Sequence, residues 1–185
     1  MSRPREFDAG DVLDRAAEAF RAKGFEGASL QDLEKATGLC RASLYGAFHD
    51  KRSLYLAALR RYDASRAVVL FARLDAQKSG RRAVEAMFES VIDECSDSHG
   101  CLLANASVSD EGAARCVADS RRRTEGAIHA ALLRGKMDGS LKGRGDARIA
   151  TRLLFAAALG LRALSKAGCT RAQLREVVEM TLEVL

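Results

Sequence analysis

Residues 29–51 read SLQDLEKATGLCRASLYGAFHDK, and this run constrains the chain more than any other. It parses as two short helices joined by a tight turn. Ser29 is placed to cap the first, because its hydroxyl accepts from a free amide of the opening turn. Leu30, Leu33 and Ala36 fall on one face, with Gln31, Asp32, Glu34 and Lys35 pointing away. Gly38 sits where that helix must stop, since glycine enters the left-handed region without a Cβ clash. Leu39 is apolar in the turn and pins the two helices together. The second helix starts at Cys40 or Arg41 and buries Leu44, Ala47 and Phe48. Arg41, Ala42, Ser43, Tyr45, Gly46 and His49 are left facing outward. Two short helices with the second presented to solvent are the layout of a DNA-reading helix-turn-helix.

The rest of the chain also reads as helix, and no segment reads as a strand. Leu13, Ala16, Ala17 and Phe20 recur at helical spacing over 8–23, and Gly24 ends that helix so that Phe25 folds back. Asp50 caps a long helix from Lys51 to about Asp75. Further helices are expected over 81–97, 101–106, 111–135 and 146–167, with a last one capped by Thr170. The expected fold is therefore all-α, with about nine helices. A three-helix DNA-binding domain occupies 1–52. The helix from 51 to about 75 links it to a second helical domain, 53–185.

Composition narrows the classes further. One proline, no tryptophan and 185 residues suit a helical protein with a sizeable core. No run approaches the roughly 18 apolar residues of a membrane span. The N-terminus has no apolar core of a secretion signal. A cytoplasmic protein with no membrane partner is expected, its five cysteines reduced. Net charge is +5, but it is not concentrated in the helix-turn-helix. Residues 1–62 hold 11 Lys and Arg against 9 Asp and Glu; the remainder holds 19 against 16. The DNA expectation rests on the motif and not on charge.

Three pieces together resemble the DNA-binding domain of TetR/AcrR-type transcriptional regulators. They are Phe20-to-Gly24-Phe25, then SLQDLEKATGL, then SLYGAFHDK before a long helix. The match by motif covers residues 8–62. The resemblance implies a homodimer on palindromic double-stranded DNA, most often a repressor released by a small-molecule inducer. Carried onto this chain, Arg41 is the best base reader, because its planar fork fits guanine O6 and N7. Ala42 and Gly46 share its face. Ser43 reaches bases or phosphates, and Tyr45 matches the family tyrosine on the DNA backbone. His49, Lys51 and Ser29 are placed for phosphates, Lys51 beside a positive helix end. The departure is Cys40, where a Ser or Thr cap is common in the family.

The second domain would hold the inducer, with Phe71, Phe88, Ile92, Cys95, Cys101, Leu102, Asn105 and Ile128 as expected lining. Cys95, His99 and Cys101 lie close in sequence, with Cys116 beyond. A thiol sensor at Cys101, at an expected helix start beside His99, is one alternative. A zinc or copper sensor is another, although Cys-x3-His-x-Cys is not a structural zinc spacing. Plain packing cysteines are the bland reading. No cofactor or resident metal is expected, and no catalytic constellation stands out, so an enzyme is not expected. GSLKGRG, 139–145, lacks the ending of a phosphate loop and reads as a connection. In the last two helices, Leu154, Ala157, Leu161, Val178 and Leu182 are the expected dimer surface. Small residues nearby (Ala156, Gly160, Ala163) permit close helix approach.

Overall fold

The fold is described from a computed structural model, over residues 7–95, 99–106, 109–143, 145–183 and 185. Eight helices appear, in the order α1 (Ala9–Gly27), α2 (Leu30–Thr37), α3 (Arg41–Phe48), α4 (Lys51–Asp75), α5 (Gly80–Glu94), α6 (Glu111–Met137), α7 (Ala147–Lys166) and α8 (Arg171–Glu183). No strand occurs among the described residues. The expected helix over 101–106 is absent: those residues form consecutive turns. Six residues cannot repay helix nucleation on their own. Their apolar side chains are held by tertiary packing instead. No helix of the described residues is long and apolar enough to cross a membrane.

Most of the helices start where the side chain of the cap residue satisfies free amides. Asp8, Ser29, Asp50, Ser79, Asp110 and Asp146 all accept first-turn N–H bonds. At α2 the arrangement is reciprocal: Asp32 N donates to Ser29 Oγ at 3.2 Å, and Ser29 N donates to Asp32 Oδ2 at 2.9 Å. Gly24, at φ 72°, breaks α1 so that Phe25 turns inward. The Phe25 ring then lies 6.3 Å from that of Phe20 and 5.0 Å from that of Tyr55.

Two cores result, and α4 serves both. Its first half supplies Leu54, Tyr55, Ala58 and Leu59 to a head core with Val12, Phe20, Leu33 and Leu44. Its far end supplies Leu74 to a second core with Met87, Phe88, Ile128, Leu154, Leu161 and Leu182. Each fully buried Leu, Ile or Phe contributes about 1.5–3 kcal/mol. The packing does not divide at residue 52. The head core takes in α4 as far as Leu59, and it also takes in Cys101, Leu102 and Leu103 from the turn segment and Ala113 and Cys116 from α6. Arg52 on α4 donates to both oxygens of Asp110, the α6 cap, at 2.5 and 3.2 Å. That hydrogen-bonded pair holds the Asp110 carboxyl below its ordinary value.

Candidate functional site

In the head, α2 and α3 form the expected helix pair, with Gly38 left-handed between them at φ 73°. Glu34 of α2 reaches across the turn, and its Oε1 accepts from Arg41 N at 2.6 Å. This fixes the start of α3 without help from Cys40, whose side chain makes no cap bond. The Cys40 sulfur lies 3.3 Å from Ser43 Oγ, and that hydroxyl with the first-turn amides holds the thiol below its ordinary value. α3 buries Leu44, while Arg41, Ala42, Ser43, Gly46 and Ala47 are exposed and Tyr45 is half-buried. Ala47 thus departs from its expected inward place. The Arg41 guanidinium rests 5.5 Å above the Tyr45 ring. A Cβ at Gly46 would meet nothing within 4 Å, so this face is open.

The flanking residues are held by the fold. His49 takes φ 68°, outside the usual range for a side chain, and donates its N–H to Tyr45 O at 2.8 Å. It turns the chain from α3 into α4, with its side chain exposed. The Lys51 ammonium lies 4.7 Å over the Phe25 ring and 3.4 Å from Glu26 O. The Ser29 hydroxyl is engaged with Asp32 at 2.7 Å. Of the eight expected contact residues, all but Tyr45 and Lys51, which are half-buried, are exposed. Arg41, Ala42, Ser43, Tyr45 and Gly46 sit on the outward helix, and Ser29, His49 and Lys51 sit around it.

A cavity of about 190 Å³ lies in the second unit between α4, α5, α6 and α7, closed at one end by the turn segment. Only Phe71 and Cys101 of its expected lining face it. Phe88, Ile92, Leu102 and Ile128 are at most 2 % exposed and fill the cores, because the largest apolar side chains are the ones that packing consumes. Asn105 is exposed; its amide donates to His99 O at 3.0 Å. Cys95 lines only a small adjoining space, with its sulfur 3.9 Å from Leu161 O. The apolar wall is made by Leu70, Phe71, Met87, Val91, Phe155 and Leu159.

Arg121 and Arg123, which the sequence offers as a carboxylate site or, better, a solvated helix face, line this cavity, while Arg66, Glu94 and Arg162 carry no such signal one at a time. Glu94 of α5 accepts from Arg66 of α4 and, at 2.9 Å, from Arg162 of α7. Arg66 Nη1 also lies 3.4 Å from Cys101 Sγ. Burial works against charge on Arg66, but the Cys101 sulfur and the Glu94 carboxylate outweigh it and hold the guanidinium above its ordinary value. Burial pushes the neighbouring Tyr62 phenol up to about 12, so it stays neutral. A signal did exist: Tyr62, Arg66 and Leu70 recur every four residues on the inward stripe of α4.

Two expectations about cysteine and metal change. Cys101 precedes a turn, and the helix start expected there is absent. Among the described residues no three His, Cys, Asp or Glu side chains converge to hold a metal ion. Burial raises the Cys95 and Cys116 thiols above their ordinary values.

The dimer expectation also shifts. Leu154 and Leu161 are fully buried, and Val178 and Leu182 nearly so, all within this chain's own core. Ala157 is half-buried against that core. The large exposed apolar side chains of these helices are their neighbours: Ile149, Leu153, Leu159 and Leu164 on α7, and Val177 and Met180 on α8.

A capped helix pair with an open second helix, joined by one long helix to an all-helical unit with a cavity, defines a two-part DNA-binding regulator. Residues 12–58 match the family model of bacterial regulatory proteins of the tetR family. Over its full length the chain is 32 % identical to the HTH-type transcriptional regulator YezE of Bacillus subtilis (strain 168), covering 100 % of both chains. It is 34 % identical over 107 residues to the HTH-type transcriptional repressor ComR of Escherichia coli (strain K12), covering 56 % of this chain and 51 % of ComR. Among solved structures it is similar to a cysteine mutant of the TetR family transcriptional regulator CifR complexed with 26 bp double-strand operator DNA. The TM-score is 0.87 at 28 % identity, with 98 % of each chain covered. The chain belongs to the TetR family of transcriptional regulators.

Proposed function

We propose that this protein is a cytoplasmic homodimeric repressor that binds a pseudo-palindromic operator through α3 and leaves it when a small molecule fills the cavity. The observation that carries the reading is the open outward face of α3, locked at one end by Glu34 and at the other by His49. Arg41 reads base edges there, and Lys51 serves the phosphate backbone. The similar CifR structure, which holds operator DNA, supports this docking. Arg41→Ala is expected to relax base preference at one position per half-site and to cost about 1–3 kcal/mol. Lys51→Ala should weaken all duplexes alike and lower the salt slope by about 0.9. Fluorescence anisotropy with matched and substituted duplexes measures both. Unchanged base preference in Arg41→Ala would remove it as the reader.

The dimer forms through the exposed stripe of α7 and α8. Leu153, Leu164, Val177 and Met180 supply apolar area, while Ala156, Gly160 and Ala163 are exposed and small. A Cβ on Gly160 would meet nothing within this chain, which leaves room for a partner helix. Leu153→Glu with Met180→Glu should give a folded monomer by analytical ultracentrifugation at micromolar concentration, where wild type is dimeric. A monomeric wild type would contradict the proposal. Leu161→Glu is not a suitable probe, because it would place a charge in the monomer core.

The link from cavity to head is the turn segment. Cys101 and Leu103 face the cavity, yet both pack in the head core with Leu102. Gly100 O accepts from Arg21 of α1 at 3.4 Å. A ligand that prefers a displaced segment would move α1 and α4, and with them the spacing of the two α3 helices. A second reading has one observation in its favour: the Cys101 sulfur lines the cavity beside the Arg66 guanidinium. A thiol-reactive molecule entering the cavity would meet that sulfur there.

A further inference from the structure

We infer that the ligand of this cavity is a small amphipathic anion whose carboxylate sits between Arg66 and Arg162. The inference rests on the reading of the cavity as the inducer site and names its ligand class. The charges lining the cavity do not balance. Arg123 is paired with Asp63, and Arg121 with Glu125 at 3.1 Å. Arg66 and Arg162 share the single carboxylate of Glu94. Among the described residues one positive charge is therefore left over at this end of the cavity. Both guanidinium side chains are largely buried, at 23 % and 14 % exposure. The Nε of each is buried with no acceptor among the described residues.

An unmet N–H of a buried cation is costly, and a carboxylate is the acceptor whose two oxygens match a guanidinium fork. One to two turns further along α4, α5 and α7, the lining is apolar, with Leu70, Phe71, Met87 and Phe155, and the charged α6 side chains there are paired. One cationic end and one apolar end select a molecule with an acid head and a hydrocarbon body. A neutral ligand of the same shape would leave the extra positive charge uncompensated. A space of about 190 Å³ limits the body to a short chain or a single ring system.

The test is isothermal titration calorimetry of the full-length protein with octanoate and with octanamide, which share a chain and differ in charge. Wild type is expected to bind octanoate at least about tenfold more tightly, the scale of one charge-assisted hydrogen-bond pair. Arg162→Gln should erase that preference and leave octanamide unchanged, and Arg162→Lys should retain part of it. Ala67→Trp, which fills the cavity from α4, should abolish binding of both. Equal or reversed affinities in wild type would overturn the anion inference while the cavity reading stands, provided Ala67→Trp still blocks both compounds. No binding of either compound to wild type, or binding untouched by Ala67→Trp, would overturn the cavity reading as well. If Arg162→Gln does not fold, the wild-type comparison alone decides.

Discussion

Gly80→Ala is expected to lower stability by about 3 kcal/mol, at the upper end of what one added methyl group costs in a packed interior. Gly80 opens α5, is fully covered, and donates its N–H to Asp138 Oδ2 at 2.8 Å. A Cβ on it would lie 2.1 Å from Gly135 N and 2.4 Å from Ala131 O. Both atoms are α6 backbone, so no side chain can rotate away. The start of α5 would have to lift off α6, breaking the Asp138 bond and opening the core around Ala83 and Leu132. Thermal melting should show a drop of roughly 6–12 °C. Because α5 and α6 wall the cavity, ligand binding should fall with it. A melting point within about 2 °C of wild type would show that the two helices are not held at this distance.

The second large effect is expected at Asp63. Its side chain is 8 % exposed on α4 and is paired with Arg123 of α6, which is 46 % exposed. Arg123→Ala leaves a buried carboxylate without its partner, which costs about 3 kcal/mol, the low end of the range because water reaches the Arg123 side. Asp63→Leu combined with Arg123→Met should recover most of that loss, since apolar replacement of a whole buried pair is often neutral. Urea denaturation of the single and double variants measures the difference. If Arg123→Ala costs no more than about 0.5 kcal/mol, the pair behaves as a surface ion pair.

The head was legible in the sequence because its signals are local. A cap at Ser29, a left-handed Gly38, a second left-handed glycine at Gly24 and a cap at Asp50 each act within a few residues of themselves. The second unit was less legible because its decisions are made between distant residues. The apolar stripe on α7 is wide, and nothing along the chain says which edge meets the core. Leu154 and Leu161 turned inward, while Leu153 and Leu164 turned out. The turn segment reads as a helix from its apolar run, but what fixes it is the head core of α1 and α4, far earlier in the chain. Arg66, Glu94 and Arg162 look like ordinary surface charges one at a time. Their meaning appears only when three helices bring them together.

The most direct test of the account is selection of binding sequences from random duplex DNA with the full-length protein. The account predicts enrichment of a pseudo-palindrome whose half-sites are about 34 Å apart, or a multiple of that, as two copies of α3 in successive major grooves require. Arg41→Ala should lose the preference at one position per half-site and keep the rest. Failure to enrich any sequence, with or without octanoate present, would contradict the claim that α3 reads DNA.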